Sequence, residues 1–334
     1  MLGGVATDAN GLLSGAGLIK TGVGTYTLAA ATPAALTQAL EALVFAPVAG
    51  GGSPLATSFA LTVSDGMAST AFGGINTIAK GNGNATISGA PGGYSAVILG
   101  NGNATVTLSG GYNTVAAGNG NATVTGAPGG FSLVRLGNGN ATVTLGGGSN
   151  TIVAGNGNAT IMGSPGGHTS VTLGNGNATV NIGGTGDIIR LGNGGNQVFG
   201  TQGMAFIVSG SGNDTISVGG AGNTIDAGGG KNTIFGGSGG DTFVLPAAGS
   251  GFDTISGFTL TNNDLLDIRA ALAATAWNGA TATLGNYLKV ASNGGATSLA
   301  IAPSGSGGGT GIASLVGTGT LSLADLLAHN ALRF

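Results

Sequence analysis

The side chains able to do covalent chemistry are few. The 334 residues include two histidines, His168 and His329, one glutamate, Glu41, and no cysteine. Thiolate nucleophiles, thiolate metal sites and disulfides are therefore excluded. Neither a His-Glu-x-x-His zinc motif nor a phosphate-binding loop ending in Gly-Lys-Ser/Thr occurs. His168 has no carboxylate and no second histidine near it in sequence, which marks a turn-edge residue rather than a ligand or a catalyst. The Gly-x-Gly patterns lie in turns rather than before a helix, so they carry no dinucleotide signal. The chain is expected not to be an enzyme. What remains is hydroxyl and amide chemistry at fixed spacing. Thr105/Thr107, Thr123/Thr125 and Thr142/Thr144 form Thr-x-Thr pairs. Asn82/Asn84, Asn101/Asn103, Asn119/Asn121, Asn138/Asn140 and Asn156/Asn158 form Asn-x-Asn pairs.

These pairs belong to a repeat. Gly-Asn-Gly-Asn-Ala-Thr begins at Gly81, Gly100, Gly118, Gly137, Gly155 and Gly174, in steps alternating between 19 and 18 residues. A fixed period of this size marks a repeat architecture. A finer register runs through the residue before each Thr-apolar or equivalent pair, from Asn76 to Asp241, in steps of nine with three steps of ten. The three long steps hold Ala90-Pro91, Ala127-Pro128 and Ser164-Pro165, so the long period is 37 residues. Two nine-residue units, each a glycine-rich turn and a short strand, close one flattened coil. The fold class expected is all-β: a parallel β-solenoid (β-roll) of about nine coils and about 45 Å, at about 4.8 Å per stacked strand. Its tight turns are expected to need glycine at positive φ.

Alternation along each strand sends Val106 inward with Ile87, Val124, Val143, Ile161 and Val180, and Thr105 and Thr107 outward. The second sheet puts Val97, Val115, Val134, Ile152, Val171 and Ile189 inside. Its outer face, with Ile98, Ala116, Leu133 and Val153, is partly apolar and suits lateral contact. Tyr94, Tyr112, Phe131 and His168 line one turn edge. The asparagine pairs are expected to stack as side-chain amide ladders.

Three domains are expected: 1–72, 73–245 and 246–334. In the first, Leu18–Ala29 reads as a strand or hairpin, and Thr32-Pro33 as the start of a helix carrying Leu36, Leu40, Leu43 and Val44. Thr57–Val63 reads as a strand. These make a small N-terminal α+β cap, which resembles β-rich modules of large bacterial surface proteins. The last domain is a β-rich cap that closes the end of the roll.

The nine-residue unit resembles the Gly-Gly-x-Gly-x-Asp-x-U-x repeat of the RTX (repeats-in-toxin) family, U being a large apolar residue. The match is close at Gly210-Ser-Gly-Asn-Asp214-Thr-Ile216 and at Gly236-Gly-Ser-Gly-Gly-Asp241-Thr-Phe243. In that family the aspartates and turn carbonyls bind calcium between stacked turns. Here the Asp slot is Ala at 85, 104, 122, 141, 159 and 178, and no acidic residue lies between Asp65 and Asp187. Calcium takes six to eight oxygens, usually with carboxylates among them. Coils 81–186 are therefore expected to fold without it. The resemblance leaves one candidate calcium set at the C-terminal coils: Asp214 with Asn232, and Asn223 with Asp241. The order of motifs over the last hundred or so residues resembles the C-terminal target domain of proteins exported by type I secretion. That implies an extracellular or cell-surface protein of a Gram-negative bacterium, with the secretion machinery as a partner. It agrees with the lack of a basic and then apolar N-terminal leader.

Only 6% of the residues are charged and the net charge is −3. Such a surface offers no basic face for nucleic acid. No run of about 18 apolar residues is present, so no membrane insertion is expected. The sequence thus points to a structural protein that self-associates as a homo-oligomer or filament of a matrix or surface layer. Two alternatives stay open: an adhesive or ice-binding module using the threonine face, which resembles that of some antifreeze proteins, and the secretion-targeting end of a larger surface protein.

Overall fold

The structure is a computed structural model of the chain. It describes residues 11–28, 33–47, 63–64, 69–70, 76–88, 95–126 and 129–334. From Asn76 onward the chain winds as a parallel β-solenoid. Strands alternate between two sheets, one of 13 strands and one of 12. The first, here the threonine sheet, runs from Ala85–Ser88 through Ala104–Thr107 and Ala122–Thr125 to Gly251–Ser256 and Thr310–Val316. The second, the mixed sheet, runs from Asn76–Lys80 through Tyr112–Ala117 and Phe131–Leu136 to Leu265–Asp267 and Leu332–Arg333.

Stacking is in register. Ala104 pairs with Ala122, Ala122 with Ala141, Ala141 with Ala159 and Ala159 with Ala178. A slip of one residue would turn every core side chain to solvent, so the apolar ladder fixes this register. The ladder Val106, Val124, Val143, Ile161, Val180 is fully buried, as is Val115, Val134, Ile152, Val171, Ile189 on the mixed sheet. One coil alone could not bury such a thin core, so each coil depends on its neighbours.

A second inner column explains the 37-residue period. In the threonine sheet it reads Leu108, Gly126, Leu145, Gly163, Ile182, large and small by turns. A Cβ on Gly126 would meet Leu145 Cδ2 at 2.7 Å, and one on Gly163 would meet Ile182 Cγ2 at 2.6 Å. Each large side chain fills the space that its glycine neighbour leaves. In the mixed sheet Leu99, Ala117, Leu136, Ala154 and Leu173 alternate in the same way.

The glycine turns depart in part from expectation. Gly110, Gly129, Gly147 and Gly184 do lie at positive φ. The glycines of Gly-Asn-Gly-Asn do not; they are needed because successive turns stack backbone on backbone. A Cβ on Gly102, Gly120, Gly139 or Gly157 would come within 3 Å of the carbonyl of the equivalent glycine one coil earlier.

The repeat stops near Leu245 but the sheets do not. Thr233 pairs with Thr254, Phe243 with Leu266, Ile255 with Leu315 and Leu266 with Leu332, all in parallel. An antiparallel hairpin, Leu288–Asn293 with Ala296–Ile301, then extends the threonine sheet. Phe258, Ile268, Leu284, Leu299 and Leu326 join the core at this end. The final helix, Leu323–Ala328, opens with a capping box in which Ser322 and Asp325 cap each other's backbone.

Before the solenoid, Leu18–Gly22 and Thr25–Leu28 form the expected hairpin. A helix spans Pro33–Glu41. It is shorter than its apolar spacing suggested: Val44 instead begins the strand Val44–Pro47, which pairs with Gly11–Ser14. Most of the expected strand at 57–63 lies outside the described residues, as do Thr32 and Tyr94.

The turn stacking makes a direct prediction. Gly139→Ala places a methyl against backbone that cannot yield, and is expected to lower stability by about 3 kcal/mol, the upper range for overpacking. Gly83→Ala should cost about 1 kcal/mol or less, because nothing among the described residues lies within 4 Å of its Cβ position. Urea midpoints of the two variants measure the difference.

Candidate functional site

Three arrays cross the coils at right angles to the strands. The first is the buried slot at the start of each strand. In the early coils of the threonine sheet it holds alanine, and its N–H donates to the carbonyl of the residue before the next slot. Ala104 N–H bonds Asn121 O at 2.8 Å, Ala122 N–H bonds Asn140 O at 2.9 Å and Ala141 N–H bonds Asn158 O at 2.9 Å. The backbone there is satisfied without a carboxylate.

At Ala178 the pattern changes: its N–H donates to Asn196 Oδ1 at 3.1 Å. From there the side chain of one coil caps the slot N–H of the coil before it. Asn196 N–H donates to Asp214 Oδ1 at 2.7 Å, and Asp214 N–H to Asn232 Oδ1 at 3.0 Å. On the mixed sheet Ala205 N–H donates to Asn223 Oδ1 at 3.1 Å, and Asn223 N–H to Asp241 Oδ1 at 2.8 Å. Asn223 Nδ2 also donates to Asp241 Oδ1 at 2.8 Å. The four sequence-derived residues Asp214, Asn232, Asn223 and Asp241 are thus brought together in two buried pairs.

Two further aspartates extend these columns. Asn232 Nδ2 donates to Asp253 Oδ1 at 2.9 Å, and Asp241 N–H donates to Asp264 Oδ1 at 2.8 Å. The steps to them are 21 and 23 residues, which hid them from a nine-residue register. A signal was present all the same: Asp253-Thr-Ile255 repeats Asp214-Thr-Ile216. The Oδ2 atoms of Asp187, Asp214 and Asp253 are buried without a hydrogen-bond partner. Among the described residues, no group of three or more His, Cys, Asp or Glu side chains is gathered as a metal centre.

Burial dominates the acidity of these groups. It pushes the Asp253 carboxyl up to about 7, helped by the nearby charges of Asp226 and Asp214. It pushes Asp241 up to about 6, with Asp264 adding to the effect. Asp187, Asp214 and Asp264 are raised for the same reason, against the lowering effect of the backbone N–H groups they accept. Asp267 runs the other way, held low by the Arg269 guanidinium at its side.

The second array is the asparagine ladder. Each Oδ1 accepts the backbone N–H of its counterpart one coil on. Asn82 takes Asn101 N–H, Asn101 takes Asn119, Asn119 takes Asn138 and Asn138 takes Asn156, at 3.0–3.1 Å. Asn84, Asn103, Asn121 and Asn140 do the same for Asn103, Asn121, Asn140 and Asn158, at 2.9–3.0 Å. Direct amide-to-amide bonds occur only at Asn101–Asn82 and Asn138–Asn119 among the described residues. The expected amide ladder is therefore mainly a side-chain-to-backbone ladder, because the orphan donors of a stacked turn are its main-chain N–H groups. It continues through Asn156, Asn158, Asn175 and Asn177 to the N–H groups of Asn193 and Gly195.

The third array is on the surface. Thr105, Thr107, Thr123, Thr125, Thr142 and Thr144 are exposed in register on the threonine sheet. On the mixed-sheet side a broken row of large apolar side chains is exposed in two clusters: Ile98 (53%), Tyr112 (51%) and Phe131 (44%), then, beyond strands that expose Thr151 and Thr172, Ile188, Met204 and Phe206. The Tyr112 and Phe131 rings stack at 5.0 Å and 8°. Beside them Ala96, Thr114, Leu133 and Thr151 line an open groove of about 430 Å³. Arg190 lies over the Phe206 ring at 5.2 Å.

No protein-family model, no curated protein and no solved structure matches the chain. No helix among the described residues is long and apolar enough to cross a membrane.

The buried carboxyls give a pH dependence whose sign follows from linkage. In the unfolded chain they ionise near 3.8, whereas Asp241 and Asp253 in the folded chain hold their protons to about 6 and about 7. Between these values the folded state binds more protons, so stability falls as pH rises. In metal-free buffer the melting temperature is expected to drop from pH 5 to pH 8. Asp253→Asn should flatten that slope, as thermal melts across the range will measure.

Proposed function

We propose that the chain is a secreted, extracellular structural protein, a calcium-independent roll over most of its length that self-associates into a matrix, surface layer or filament. The observation that carries this reading is the exposed apolar row on the mixed sheet. Isolated apolar side chains on a surface need no explanation, but clusters of them on one face do. From Ile98 to Phe206 the two clusters span seven stacked strands, about 29 Å at about 4.8 Å per strand, with Thr151 and Thr172 exposed on the strands between them. A second copy offers the same row at the same spacing. With 6% charged residues and a net charge of −3, little electrostatic repulsion opposes the approach. The resemblance of the repeat to the RTX family, and of the C-terminal order to type I secretion targets, supports an extracellular site of action and export by that machinery.

Calcium, in this reading, belongs to the C-terminal coils alone. The buried, unpartnered Oδ2 atoms of Asp214 and Asp253 are carboxyl oxygens open to a cation there. The alanine slots at 85–178 offer none.

Sedimentation and electron microscopy test the assembly. The wild-type chain is expected to form larger species as concentration rises, and Phe131→Ser with Phe206→Ser to shift it toward monomer. Monodisperse wild-type monomers at high concentration would count decisively against the reading. Calcium is tested by hydrogen exchange with and without chelator. Protection in coils 81–186 should not change, whereas loss of protection there would overturn the calcium-free assignment.

A further inference from the structure

The threonine face differs in kind from the apolar row, and the proposed self-association leaves it unused. Three outward columns run side by side across four coils. The first is Asn84, Asn103, Asn121, Asn140. The second is Thr86, Thr105, Thr123, Thr142, and the third is Thr107, Thr125, Thr144. Strand and residue spacing make the block about 13 Å wide and about 14 Å long. It holds no charged side chain and no aromatic ring. The hydroxyls of Thr105, Thr107, Thr123, Thr125, Thr142 and Thr144 have no hydrogen-bond partner within the described protein. The Nδ2 groups of Asn103, Asn121 and Asn140 have none either, while their Oδ1 atoms are pinned by the next coil. These nine threonine and asparagine side chains thus stand at regular positions with their free donors and acceptors facing out.

Most partners are a poor match for such a face. An apolar protein surface, such as the exposed clusters of a second copy, would strip water from the hydroxyls and leave them unsatisfied, at a cost of about 1–3 kcal/mol per group. Polyanions find no cation here. Sugars find no ring to stack on. One partner leaves every hydrogen bond in place: water itself, ordered with a matching period. We infer that this face binds ice, with the threonine and asparagine columns holding a first layer of water in lattice-like order and the threonine methyls filling the space between.

Ice-affinity partitioning of the full chain tests this, with slow growth of an ice front through a dilute solution. Wild type is expected to enter the ice and to inhibit recrystallisation. Thr123→Tyr, which breaks the plane at the centre of the block, should be excluded from ice like a non-binding control while keeping its melting temperature. Ser298→Tyr, an equally exposed strand position on the C-terminal hairpin, should partition as wild type. If Thr123→Tyr lowers the melting temperature, Thr125→Lys takes its place. Exclusion of the wild-type chain from ice would overturn the inference. So would a folded threonine variant that enters ice as wild type does.

Discussion

Everything in this roll depends on main-chain N–H groups finding their acceptors one coil away. In an ordinary sheet only the strands meet that condition. Here the turns meet it too, because successive turns lie directly on one another and asparagine carbonyls reach across the step. Closeness of this order leaves no room for a Cβ, which is why glycine recurs at Gly100, Gly102, Gly118 and Gly120 without a positive φ to require it. The inner ladder of valine and isoleucine then follows from the width that remains between two sheets so joined.

The same condition is met in two chemical ways along one molecule. On the threonine sheet the early coils close their slots backbone to backbone over alanine and the later coils with asparagine and aspartate side chains, whereas the mixed sheet already uses side chains at Ser132 and Thr169, whose N–H groups donate to Asn150 and Asp187 Oδ1. The first way buries no charge. The second buries carboxyls whose proton affinity rises in consequence, since an ionised group in a low-dielectric interior is costly. The proton-sensitive groups of the roll thus lie in its coils from Asp187 on.

The period of the sequence made the roll, its register and its inner columns legible, because a single side-chain alternation governs every coil. The Thr-x-Thr columns and the pairing of Asp214 with Asn232 were legible for the same reason. Features whose cause lies outside the period were not. Asp253 and Asp264 sit after insertions that break the nine-residue count, although their strands stack as the others do. The continuation of both sheets beyond Leu245 was hidden because Gly251–Ser256 and Thr310–Val316 are adjacent in space but separated by a long excursion. The end of the helix at Glu41 was missed because apolar spacing cannot tell a helix residue from one that begins the next strand, as Val44 does.

The alternation of Leu108, Gly126, Leu145, Gly163 and Ile182 bears on how such a chain changes over generations. Loss of a single coil by unequal exchange would set Leu108 directly against Leu145, two bulky side chains where the lattice has room for one. Gain of a single coil could as easily set glycine on glycine and open a void. Loss or gain of a pair restores the order without disturbing any other contact. The heritable unit of length is therefore the 37-residue pair, and rods of different reach built on this plan differ by even numbers of coils.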